Sequence, residues 1–226
     1  MRLLAAALAI PLAFAGWQWW GDHSLQTALA PIASGVAGRP VEVDCQSLWG
    51  GLVDVQWREG EVRFDRTGVP EPRIFLARKT CTRLASFRKR AQHGELDCLR
   101  SLDWAALDPL PFESSCYAEA HETVYAVLVL AHEAYHTAGV TDEAAANCYA
   151  LQGMAWTALE LGAPRDEAEL LARAMEELEP KQGGEYATTE CRPGARLDLH
   201  PETPAFPTEG TIAAPAGLTA ASRLAP

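Results

Sequence analysis

Residues 3–14 form one apolar run, broken only by Pro11 and preceded by Arg2. Ala13-Phe14-Ala15 has the small-x-small form of a signal-peptidase site, so residues 1–20 read as a signal peptide. Apolar residues continue through Trp17, Trp19 and Trp20, which leaves a retained membrane anchor as the alternative, with the tryptophans at the interface. Beyond this segment the periodicity alternates between types. Ser24 to Ser34 predicts a short helix weakened by Pro31. "PVEVDC" (Pro40–Cys45) alternates with period two and predicts a strand. "GLVDVQWREGEVRF" (Gly51–Phe64) predicts two strands turning at Glu59-Gly60, and "VPEPRIFLA" a turn followed by a short apolar run.

From Arg78 the period becomes helical. Arg78 to His93 predicts a helix stopped at Gly94, and Leu99 to Leu107 a short helix stopped by Pro109 and Pro111. The longest helical segment begins near Glu113, with Ser114 or Ser115 as its cap. It has no proline or glycine from Tyr117 to Ala138 and meets Gly139 where a left-handed C-terminal cap is expected. Thr141 or Asp142 can cap the next helix, which runs to about Leu161. A last helix from Asp166 to Leu178 puts Ala168, Leu171, Ala172, Met175 and Leu178 on one face before Pro180 ends it. "EYATTECRPGARLDL" is expected to pack back through Cys191, and the Pro/Ala-rich residues 201–226 to form a disordered tail. The expected fold class is therefore α+β and mostly helical, with a short N-terminal β-hairpin or sheet before a helical core. Residues 21–200 are expected to make one domain.

Composition narrows the function. The 226 residues carry a formal net charge of −11, which repels a phosphate backbone and argues against nucleic-acid partners. Arg78, Lys79, Arg83, Arg88, Lys89 and Arg90 concentrate on one predicted helix; the expected role is a solvated face, with anionic lipid as the alternative partner. Six cysteines, Cys45, Cys81, Cys98, Cys116, Cys148 and Cys191, contain no CxxC pair. An even number in an exported chain points to three disulfides, with 15 connectivities open to about the same degree. Cys148 is expected to anchor its helix in this way.

The chemistry concentrates in "LAHEAYHTAGVTDEAAANCYA" (Leu130–Ala150). On a helix His132 and His136 lie about 40° apart in azimuth and about 6 Å apart along the axis, so both imidazoles can reach one metal ion. Glu133 falls beside them, placed to take a proton from a water that the metal activates. Catalytic zinc needs a third protein ligand and an open position. Asp142 and Glu143 both follow the helix break; Glu143 is the preferred ligand because Asp142 has work as an N-cap, and Asp142 is the alternative. His121 and Tyr125 share the His132 face, and Tyr125 is expected in the core more than in a site wall. Tyr135 and Tyr149 could stabilise an oxyanion, but no spacing selects them.

His132-Glu133-x-x-His136-x-x-Gly139-x-x-Asp142 resembles the short metzincin pattern with an aspartate as third ligand. Glu143-x-x-Ala146-Asn147 resembles the second-helix motif of gluzincins. The gluzincin resemblance implies a zincin-like core with Zn2+ on two consecutive helices, bound by His132, His136 and Glu143, and Asn147 supporting the first histidine. Leu130 to Gln152 also resembles a group of uncharacterised exported proteins of high-GC Gram-positive bacteria that carry a metallopeptidase label. The function implied is an exported zinc-dependent hydrolase of peptidase type. Glu133 would be its general base, acting on a peptide or protein in the envelope or extracellular space. The alternative is a non-catalytic envelope binding protein that retains a zincin scaffold or a structural zinc.

Overall fold

The computed structural model describes residues 21–47, 59–102, 115–178 and 184–201. The predicted signal or anchor segment, the first half of the predicted hairpin, the end of the helix expected to reach Leu107 and the expected tail fall outside them. Six helices and three strands follow in the order α1 (21–37), β1 (Glu42–Cys45), β2 (Gly60–Phe64), β3 (Pro70–Leu76), α2 (Arg78–His93), α3 (Asp97–Ser101), α4 (Ser115–Thr137), α5 (Glu143–Glu160) and α6 (Arg165–Leu178). A 3-10 turn, Gly184–Tyr186, precedes the last ordered segment. The fold is α+β and mostly helical, as its periodicity predicts.

α1 is longer than expected and runs through Pro31. Proline in a helix costs about 3 kcal/mol, but Leu25, Leu29, Ile32, Ala33 and Val36 are buried along one face. Each large apolar side chain contributes about 1.5–3 kcal/mol on burial, so packing outweighs the proline, which sits on the exposed side.

The sheet order is β1-β3-β2, with β1 parallel and β2 antiparallel to β3. Glu59-Gly60 is not the turn. Gly60 opens β2 and pairs with Leu76, and the hairpin joins β2 to β3 instead. Its turn is built by Asp65, whose Oδ1 accepts from Thr67 N at 2.7 Å and Val69 N at 3.0 Å, with Gly68 at φ +81. An aspartate that bonds the backbone two residues on outcompetes a Glu-Gly dipeptide as a turn former. Among the described residues β2 is an edge strand of this sheet, and β2 and β3 pack against α4.

α4 and α5 form the centre. From Thr123 to Ala138 every α4 residue but Tyr125 is buried, and α5 is buried along most of its length. One apolar cluster runs from Leu25 to Leu197. The basic helix α2 is a solvated face only in part: Lys79 and Lys89 are exposed, but most of its cations meet acids. Arg78 pairs with Asp22 of α1 at 2.7 Å, Lys79 with Glu122 of α4 at 3.3 Å, Arg83 with Glu122, and Arg90 with Glu119. The predicted charge run is a seam between helices, because α1 and α4 bring their acids to it. No helix of the described residues is long and apolar enough to cross a membrane.

All six cysteines pair, as Cys45–Cys81, Cys98–Cys116 and Cys148–Cys191. Cys148–Cys191 ties the C-terminal segment to α5. Gln152 reinforces it, donating to Leu197 O at 2.8 Å and accepting from Leu199 N at 2.7 Å, and Leu197 is buried.

Candidate metal centre

Local chain geometry delivers the metal-binding groups. α4 ends in a left-handed cap: Gly139 has φ +100, its N–H donates to His136 O at 2.9 Å, and Val140 N donates to Tyr135 O at 3.2 Å. This pair of bonds is a Schellman motif. It turns the Val140 carbonyl back over the preceding ring, where it accepts from His136 Nδ1 at 2.7 Å. Nδ1 therefore carries the proton, and Nε2 of the neutral ring presents a lone pair. The helix stop and the orientation of a candidate ligand are one structure.

The next helix begins at once. Asp142 Oδ1 accepts from Ala145 N at 2.8 Å, so Asp142 is the N-cap of α5. Glu143, in the first turn, points the other way. Its Oε2 lies 3.0 Å from His132 Nε2 and 3.2 Å from His136 Nε2, and the two Nε2 atoms are 2.9 Å apart. Donors about 2.0–2.1 Å from a tetrahedral ion sit ~3.3 Å from one another, so three atoms converge at close to the spacing zinc requires. His132, His136 and Glu143 form the group able to hold a metal ion among the described residues. Between the two aspirants for third ligand, the geometry favours Glu143.

Electrostatics agree with that division of work. Hydrogen bonding to His132 outweighs burial and holds the Glu143 carboxyl below its ordinary value. Burial first, then the charge of His132, lowers the pKa of His136 and favours the neutral imidazole a metal needs. Glu133 sits beside the group, buried, with its pKa pushed up to about 8 by burial and then by the charges of Glu143 and Glu61.

These residues floor an open cleft of about 530 Å³. Its walls were not foreseen from the sequence. On one side stands β2, with Gly60 so close that a Cβ there would lie 2.6 Å from Glu133 Cγ and Oε1. Val62 and Phe64 follow along the strand, and the Phe64 ring lies edge-on to His136 with centroids 6.3 Å apart. The 3-10 turn contributes Glu185 and Tyr186, the latter 6.0 Å from the His132 ring. A glycine inside a strand pattern is the available signal for such close approach; the same glycine also reads as a turn residue.

Other expectations fare differently. Asn147 lines the cleft, and its Nδ2 donates to Tyr186 O at 3.2 Å. Asn147 lies one helical turn beyond Glu143 and ties α5 to the 3-10 turn. Tyr125 packs on the core and also lines the cleft, so it is a wall residue as well. Tyr135 is fully buried with its hydroxyl unpartnered, stacked obliquely on Tyr149; neither lines the cleft. Met154 and Met175 are buried in α5 and α6. No family model, curated protein or solved structure matches the chain.

Proposed function

We propose that the chain is an exported zinc-dependent hydrolase of peptidase type. The observation that carries this reading is the convergence of two imidazole nitrogens and one carboxylate oxygen on the floor of an open cleft, with a fourth group, the Glu133 carboxyl, buried beside them. Zinc suits the nitrogen-rich donor set, and three protein ligands leave a position for water or substrate, where a closed structural site uses four. A zinc ion held there supplies a Lewis acid that polarises a carbonyl and acidifies water.

The rest of the chemistry belongs to the chain. The Val140 carbonyl fixes the tautomer of His136. Glu143 offsets cationic charge at the floor. Glu133, shielded by β2, holds a proton readily; a dication beside it would draw the carboxyl back toward ionisation. It can then accept a proton from the attacking water and return it to the leaving amine. Three disulfides fit an oxidising compartment and support export. The substrate would be a peptide or protein of the envelope or the extracellular space.

The test is Glu133→Gln in the oxidised chain. The variant is expected to keep its metal and lose cleavage of a broad peptide library. If wild type also leaves the library uncut, the hydrolase reading fails and a binding role replaces it.

A further inference from the structure

The side chains lining the cleft are rich in acceptors and poor in donors. Apart from its histidines, the charged side chains of the lining are all glutamates among the described residues, and ionised carboxylates only accept. An extended peptide brings a carbonyl for nearly every N–H, and each carbonyl needs a donor. Most side-chain donors of the cleft are committed. His136 Nδ1 donates to Val140 O at 2.7 Å, and Asn147 Nδ2 donates to Tyr186 O at 3.2 Å. Tyr125 and Tyr186 carry further interactions of their own.

Thr141 is the exception. It lines the cleft and is exposed, and neither its hydroxyl nor its backbone N–H has a hydrogen-bond partner among the described residues. A threonine elsewhere on the surface would serve bulk solvent alone; this one borders the space beside the metal group. Its backbone is held on both sides. Val140, before it, is fixed twice: its N–H donates to Tyr135 O at 3.2 Å, and its carbonyl accepts from His136 Nδ1. Asp142, after it, caps α5 by accepting from Ala145 N at 2.8 Å. The link that joins α4 to α5 and delivers Glu143 therefore carries an uncommitted donor on backbone with little freedom left to lose. A bond made there on binding forfeits little to ordering.

We propose that Thr141 is a substrate-binding residue, whose hydroxyl donates to a backbone carbonyl of an extended peptide lying across the metal group. The inference rests on the hydrolase reading for the identity of the occupant, but the contact is a property of binding and is measured without turnover.

The probe is one labelled extended peptide in three versions, with alanine, leucine or glutamine at its central positions. Binding to the full oxidised Glu133→Gln chain loaded with zinc is followed by fluorescence anisotropy. Thr141→Val, added to that chain, keeps the shape of the side chain and removes the donor; Thr141→Ser keeps the donor. The valine variant is expected to bind about fivefold more weakly, the worth of one neutral hydrogen bond, with zinc content unchanged. The serine variant should bind within about twofold of the parent, since the donor is retained. Because the partner is a backbone carbonyl, the loss should be the same for all three peptides. Equal binding by the parent and the valine variant, a serine variant as weak as the valine one, a loss confined to one peptide, or no binding of any peptide by the parent would each overturn the proposal. Loss of zinc in the valine variant would overturn it too, because Thr141 would then be a structural part of the ligand loop. Turnover is scored separately in chains that keep Glu133, where Thr141→Val should raise KM about fivefold and leave kcat unchanged. Cutting with a KM indifferent to Thr141 sinks this inference alone, and Thr141-dependent binding without cutting sinks the hydrolase reading alone.

Discussion

The floor and the walls of the cleft are built on opposite principles. The floor lies on α4 and α5, where His132, Glu133 and His136 are each less than a tenth exposed. Buried polar groups are costly unless they are partnered, and here the two imidazoles are partnered by each other, by Glu143 and by the Val140 carbonyl. The walls are β2, an edge strand among the described residues, and a 3-10 turn, and their Glu61, Phe64, Glu185 and Tyr186 are half-buried or exposed. Burial makes the floor a place for metal and proton chemistry. The walls stand where solvent and anything entering the cleft meet them. Substitutions on the floor should therefore change what the site is, and substitutions on the walls what it accepts.

The largest effect should come from the floor. His136→Ala removes one of three donors and the Nδ1 bond to Val140, and metal affinity should fall at least about 100-fold, as measured by competition with a chromogenic chelator. Next comes the bond between floor and wall. Cys148 lies on α5 and Cys191 beyond the 3-10 turn, 43 residues apart. In the chain-entropy account, replacing both by serine costs about 4 kcal/mol, seen as a lower denaturation midpoint in urea. Loss of stability with unchanged turnover would mean that the C-terminal segment is not what holds Tyr186 in place.

Gly60→Ala sharpens the contrast further, because it acts from the wall on the floor. The new Cβ would meet the flexible end of Glu133, 2.6 Å away, so relief comes from moving that carboxylate. Stability and zinc content should change little, while kcat falls about 100-fold, the usual penalty for an ångström of misplacement. Unchanged turnover would show that the position of Glu133 does not matter. The smallest effect is expected at Asp142→Ala, which removes only a helix cap: about 1 kcal/mol, or a Tm lower by about 2–4 °C, with zinc retained.

The floor was legible in the sequence and the walls were not, for a physical reason. His132, Glu133, His136, Gly139, Asp142 and Glu143 act through helix periodicity and capping, which are local rules. Spacing and capping therefore gave the candidate ligand pair, the helix break and the preference for Asp142 as cap and Glu143 as third donor. The disulfide pattern and the wall depend on contacts between distant segments. Gly60 illustrates the difference: as a dipeptide with Glu59 it resembles a turn, and only the packing of β2 against α4 reveals why no side chain is present there. Asn147 shows the complementary limit. Its helical position follows from the sequence, but its partner, the Tyr186 carbonyl, comes from a segment brought back by Cys191. The basic run of α2 likewise found its acids on α1 and α4, which charge patterning within one helix does not reveal.

Metal analysis tests the central claim most directly. The oxidised chain, purified without chelator, should carry close to one zinc per chain. Asp142→Ala should keep it, and Glu143→Ala should carry almost none. Wild type with less than about 0.2 zinc per chain, or equal loss in the two variants, would contradict a zinc centre built on His132, His136 and Glu143.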